Sequence, residues 1–255
     1  MEIIGDGLLV MSLKSLIHVT TKPGASVTFK KGSTTMATKT ANSSGIAELE
    51  VLSGDWGSWT ITSTSSVATN SSTITVNAVT TYNVSLPLTL WLIKDGNFVS
   101  GVTHDFASEN SGSGSFNDAG NYVLLHQTAN RPDHWDAITG YLYPAVTLDG
   151  YWKTLYVETS EKGYCNTGVC PIAGITSNSG ATSDFTSQVQ LRSGSGASRY
   201  QKSFNSKHTS SLSVSSARGT YKVAFRASMF SYYDGYQALQ SADGEIQIWN
   251  AYLSP

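Results

Sequence analysis

The segments Ala25-Ser-Val-Thr-Phe-Lys30 and Ile46-Ala-Glu-Leu-Glu-Val-Leu52 decide the fold. In the first, Ala25, Val27 and Phe29 alternate with polar residues; in the second, Ala47, Leu49 and Val51 alternate with Glu48 and Glu50. A period of two puts each apolar set on one face of a half-buried strand. Turn residues bracket both: Lys22-Pro-Gly24 and Lys31-Gly-Ser33 around the first, Asn42-Ser-Ser-Gly45 and Ser53-Gly-Asp55 around the second. Outward from these, residues 16–19, 36–40, 59–62, 72–76 and 82–86 continue the same short apolar runs. Seven short strands at about ten-residue spacing predict an antiparallel sandwich over residues 11–88. Pro87 ends it, because proline cannot donate to a central ladder.

Residues 90–255 keep the β pattern with longer loops. Leu90-Trp-Leu-Ile-Lys-Asp-Gly-Asn-Phe-Val99 predicts a hairpin turning at Asp95-Gly96. Further strands are expected at 122–126, 145–148, 154–158, 188–192, 211–214 and 221–227, with polar loops over 109–115 and 127–135. In Glu245-Ile-Gln-Ile-Trp-Asn-Ala-Tyr-Leu253, strict alternation places Ile246, Ile248, Asn250 and Tyr252 on one face. Gln247, Trp249, Ala251 and Leu253 fall on the other. Apolar residues on both faces predict a central strand. The expected fold class is therefore all-β, two antiparallel β-sandwich domains: 11–88 transthyretin/Ig-like, 90–255 jelly-roll or lectin-like. No amphipathic helix is evident.

Composition narrows the function classes. Charged residues are 13% of the 255, against about 25% in an average globular chain, and the formal net charge is −2. No basic field exists for a phosphate backbone, so nucleic acid is not an expected partner. No apolar run reaches the roughly 20 residues of a membrane-spanning helix, so no membrane insertion is expected. Residues 1–10 read as a leader or an extended start ahead of Met11. Their apolar patch is broken by Gly5-Asp6-Gly7 and no lysine or arginine precedes it, unlike a secretory signal.

Three motifs of the first domain carry a resemblance. Lys22-Pro-Gly-Ala-Ser-Val-Thr-Phe29, Asn42-Ser-Ser-Gly-Ile-Ala-Glu-Leu49 and Gly57-Ser-Trp-Thr-Ile-Thr62 resemble carboxypeptidase-regulatory-like or PEGA-type modules. The resemblance implies a transthyretin-like sandwich acting as a spacer or docking module, without catalytic residues. Such a module followed by a tryptophan- and glycine-rich β domain is similar to tail and baseplate proteins of bacteriophages of Gram-positive hosts. That implies a non-enzymatic virion protein, homo-oligomeric, with other virion proteins and a host cell-wall polysaccharide as partners. Alternatives are a purely structural virion decoration protein, a bacterial carbohydrate-binding module, and a glycan hydrolase.

Chemistry-bearing motifs are sparse. There is no nucleophile elbow, phosphate-binding loop, dinucleotide fingerprint or H-E-x-x-H zinc motif, and no cofactor is expected. Carboxylate pairs that could straddle a glycosidic bond are Asp105/Glu109, Asp133/Asp136, Glu158/Glu161 and Asp243/Glu245, and any β-rich chain offers such pairs in its turns. His134 and Asp136, with His126 and Asp133 nearby, could share a cation or simply form a polar loop; no metal site is assigned. Cys165 and Cys170 flank a turn that could bring their sulfurs together as a disulfide; two plain thiols are the alternative. Aromatic residues say more. The cluster Tyr232-Tyr-Asp-Gly-Tyr236 suits carbohydrate, with rings for sugar faces and Asp234 for hydroxyls. Tyr232, Tyr233, Asp234 and Tyr236, joined by Trp135 and Trp152 from expected loops, form the candidate ligand-binding set. Trp91 and Trp249, both in expected strands, are assigned to packing.

Overall fold

The structure, a computed structural model, describes residues 2–4, 8–10, 12–109, 113–128, 135–164, 171–177, 185–191, 200–201, 204–230 and 244–255. Among these the one helical piece is a 3-10 turn, Ser53–Asp55; the regular structure is otherwise strand. The chain divides into two compact units, residues 1–90 with 255, and residues 91–254.

In the first unit, β1 (Glu2–Ile4) and β2 (Leu8–Val10) pair with each other. The sandwich comprises β3 (Lys14–Thr20), β4 (Ser26–Lys31), β5 (Thr34–Thr40), β6 (Ile46–Leu52), β7 (Gly57–Thr64), β8 (Thr69–Val76) and β9 (Thr81–Ser85). They form a three-stranded sheet, β6-β3-β9, and a four-stranded sheet, β5-β4-β7-β8. The first and last strands of the sandwich, β3 and β9, pair in parallel; the other pairs are antiparallel. The alternation that predicted the strands builds the core: Ile17, Val19, Val27, Phe29, Val51, Trp59 and Ile61 pack together. The opposite face of the four-stranded sheet carries hydroxyls, including the cross-strand pair Thr60 and Thr73.

The second unit contains β10 (Leu90–Lys94), β11 (Asn97–Phe98), β12 (Thr103–Glu109), β13 (Ser113–Asp118), β14 (Val123–Thr128), β15 (Trp135–Leu148), β16 (Thr154–Tyr164), β17 (Ile172–Thr176), β18 (Ser187–Gln190), β19 (Tyr200–Gln201), β20 (His208–Ser213), β21 (Gly219–Phe230) and β22 (Gly244–Ser254). One sheet runs β12-β15-β21-β17-β18. In the other, eight-stranded sheet, β22 is central as expected: β16 lies along one side, β14 and β10 along the other, with β20 and β19 on β16. Phe116, Leu125, Val157, Ile246 and Ile248 from this sheet and Ile138, Leu142, Val223 and Phe225 from the first are buried. Gly140 shows how close the two sheets come. A Cβ there would lie 2.6 Å from the Phe116 ring, so glycine leaves the space the ring occupies.

The Asp95-Gly96 hairpin forms as predicted, with positive φ at both turn residues (51° and 80°). Three expectations are corrected. The polar stretch around 109–115 is flanked closely by strands, β12 reaching Glu109 and β13 beginning at Ser113, because Thr103–Glu109 is paired along β15. Trp135 begins strand β15, paired with Phe230, and is not in a loop. The third concerns β22. Glu158 pairs with Asn250, yet the next residue, Thr159, pairs with Ile248, leaving Trp249 as an extra residue. Such a bulge reverses the alternation beyond it. Ile246, Ile248, Ala251 and Leu253 are therefore buried, while Trp249, Asn250 and Tyr252 are half-buried on the outer side.

Candidate functional site: an aromatic ridge on the outer sheet face

The bulge has a direct consequence for surface chemistry. On the outer face of the eight-stranded sheet, Tyr252 of β22 stands directly opposite Tyr156 of β16. Their ring centroids are 5.1 Å apart and the planes are 20° from parallel. Trp91 of β10 reaches the other side of Tyr252, with centroids 4.4 Å apart. At these separations the rings cannot lie side by side in one plane; they lean on one another as an offset stack across three strands. Lys94 sits over the Trp91 ring, 5.5 Å from its centroid. All three rings are half-buried, since each shields part of its neighbour.

A second group adjoins this stack at the bulge. Trp249 contacts Tyr122, centroids 5.7 Å apart, and carries Lys207 above its ring at 4.9 Å. Lys207 Nζ is 3.0 Å from Glu158 Oε1, and the Asn250 amide donates to Glu158 Oε2. Asn250 Oδ1 in turn accepts from the Asp95 backbone N–H, which ties the hairpin to the bulge. Farther along the same face, Lys162 Nζ lies 2.8 Å and His126 Nε2 3.7 Å from Glu245 Oε1. The neighbouring strand β20 contributes exposed Thr209 and Ser211, opposite Glu158 and Tyr156.

The hydroxyls of Tyr122, Tyr156 and Tyr252 and the indole N–H groups of Trp91 and Trp249 have no hydrogen-bond partner among the described residues. None of them is sealed in the interior. The ridge thus offers five neutral hydrogen-bonding groups at the edges of half-exposed rings.

The sequence-predicted site fares differently. Tyr232, Tyr233, Asp234 and Tyr236 lie outside the described residues, as do Cys165, Cys170, Asp133 and His134. The strands flanking the tyrosine segment end at Phe230, paired with Trp135, and resume at Gly244, paired with Gln127. Trp135 is described in its backbone only, as the first residue of β15. Trp152 is corrected: it does precede a strand, but it is only 2% exposed and packs edge-on to Tyr151, so it is a core residue. Trp91 and Trp249, assigned to packing, lean on Tyr252 and Tyr122 respectively and are half-buried. No sequence signal separates such a residue from a core tryptophan unless the bulge is known.

Asp133 and Asp243 lie outside the described residues; of the four carboxylate pairs, Glu158/Glu161 has both side chains described, and the two face opposite ways. Glu158 faces outward with Lys207, whereas Glu161 is fully buried, bonded to Thr159 and, at 2.8 Å, to Asn205. Glu245 is held by Lys162. Among the described residues no group of three or more His, Cys, Asp or Glu is placed to hold a metal ion, and no helix is long and apolar enough to cross a membrane. In the first unit the Lys14 ammonium, hydrogen-bonded at 2.8 Å, holds the exposed Glu50 carboxyl below its usual range.

No family model matches the chain, and no curated protein matches it. Among solved structures it is similar to one described as carbohydrate-binding modules of the β-sandwich superfamily, at 11% identity and a TM-score of 0.34, covering 89% of this chain and 83% of that one. It is also similar to the K1 cleaved adhesin domain of Lys-gingipain from Porphyromonas gingivalis W83, at 12% identity and a TM-score of 0.30, covering 65% of this chain and 96% of that one. Each likeness extends to β architecture and no further.

Proposed function

We propose that the chain is a non-enzymatic glycan-binding protein, with the second unit as recognition module and the first as connector. The observation that carries this reading is the ridge: three leaning rings and a neighbouring Trp/Tyr pair, with five unpartnered neutral donors, beside Thr209 and Ser211. Aromatic bodies give contact area at low entropic cost, and their polar tips meet a hydroxylated ligand without burying an unsatisfied group. The segment 232–236 is a second contact region in this reading, by its residue types. A bacteriophage tail or baseplate setting, with virion localisation, rests on the resemblance of the amino-terminal motifs alone. The experiment is affinity electrophoresis of the full chain through gels containing soluble polysaccharides. Retardation by at least one polymer, lost on Trp91→Ala with Tyr252→Ala while the fold persists, supports the reading. Migration unchanged by every polymer would refute it.

A further inference from the structure

We infer that the ligand of the ridge is an uncharged glycan, a refinement that rests on the glycan-binding reading above. The two carboxylates on this face, Glu158 and Glu245, each hold a lysine. Lys207 is paired with Glu158 and Lys162 with Glu245, while Lys94 lies over the Trp91 ring, 5.5 Å from its centroid. The two carboxylates are recessed, with side chains only 26% and 12% exposed, whereas Lys207 is 44% exposed. An anionic sugar could reach Lys207 only by competing with Glu158. That would leave a partly buried carboxylate with the Asn250 amide as its remaining partner. A cationic ligand meets the converse obstacle, since both carboxylates are already occupied. Apart from Lys94, which covers one face of Trp91, what remains free is neutral: phenol hydroxyls, indole N–H groups and the serine and threonine hydroxyls of β20. Groups of that kind pair with sugar hydroxyls and are indifferent to ionic strength, because screening acts on charge.

The test is a panel of neutral polysaccharides (mannan, galactomannan, a soluble β-glucan) and acidic ones (polygalacturonate, alginate, hyaluronan), at low and at high sodium chloride. The inference predicts affinity for at least one neutral polymer that changes by less than about twofold across the salt range. Tyr156→Phe with Tyr252→Phe keeps the stack and removes two hydroxyls. It should weaken that affinity about tenfold with an unchanged melting temperature. Binding confined to acidic polymers, falling about tenfold or more with salt, would overturn the inference and leave glycan binding standing. Binding to none would overturn both. A concentration-dependent dimer abolished by the same substitutions would assign the ridge to a second copy of this chain instead.

Discussion

Tyr156 and Tyr252 face each other on antiparallel strands, rings nearly parallel at 5.1 Å, only because Trp249 is an unpaired residue between them and the amino-terminal half of β22. Without the bulge, the alternation set by Ile246 and Ile248 would carry Tyr252 into the core and Leu253 to the surface. One inserted residue thus serves both faces. It keeps four apolar side chains inside and moves an aromatic one outside. Deleting Trp249 removes the extra residue and makes Glu158/Asn250 and Thr159/Ile248 consecutive pairs of a regular ladder, so each face keeps its side chains. That variant and Trp249→Ala are both expected to retain cooperative thermal unfolding, which a calorimetric scan checks; loss of cooperativity in the deletion variant would contradict the assignment of Trp249 as the extra residue.

Trp152 provides the contrasting case. Its side chain is 2% exposed, so Trp152→Ala should cost about 3–5 kcal/mol, seen as a lowered denaturant midpoint. Glycan affinity per folded molecule should not change, because Trp152 is not part of the ridge.

Gly96 is fixed by two constraints. Its φ is +80°, and a Cβ would lie 2.1 Å from the Asn121 carbonyl oxygen. Gly96→Ala is therefore expected to destabilise the second unit by about 2 kcal/mol or more. Because Gly96 N–H also donates to the Trp249 carbonyl at 2.8 Å, the change should disturb the bulge and reduce binding as well. Parallel measurement of melting temperature and gel retardation checks both effects.

The acid response of the first unit has a defined sign. Glu50 is held below its ordinary value by the Lys14 hydrogen bond first and by the lysine's charge second. Its contribution is present above the ordinary carboxylate range and is lost as pH falls through the lowered folded value. Glu50→Gln should then lie slightly below the parent in melting temperature near neutral pH and converge with it in acid. The difference should vanish in high salt, since the pair is exposed.

Much of the fold was legible in residue spacing. In the first unit, alternation such as Val27/Phe29 and Ala47/Val51 marks the inward face directly, because one face is packed and the other is wet. The second unit was harder to read. In Trp135–Leu148 the stretch from Ala137 to Leu142 is buried on both faces and so shows no period-two pattern. The ridge was hidden for a different reason. Trp91 and Tyr252 lie 161 positions apart in sequence, and the bulge that aligns them leaves no local mark in Ile248-Trp-Asn-Ala251. The tyrosine-rich stretch was conspicuous because its aromatics are clustered in sequence, whereas the ridge gathers its rings from three strands and a turn.

The two aromatic regions can be weighed against each other. Replacing Tyr232, Tyr233 and Tyr236 with alanine should weaken glycan affinity by less than Tyr156→Ala with Tyr252→Ala. The latter pair should lower it about tenfold or more. Affinity electrophoresis of both variants beside the parent gives the comparison.

The most direct measurement is a two-dimensional NMR titration of the full chain with a bound neutral oligosaccharide, following the indole N–H signals of Trp91, Trp249 and Trp152. Movement of the Trp91 and Trp249 signals with saturation, and a still Trp152 signal, is the predicted result. Saturable binding that leaves Trp91 and Trp249 unmoved would contradict the account.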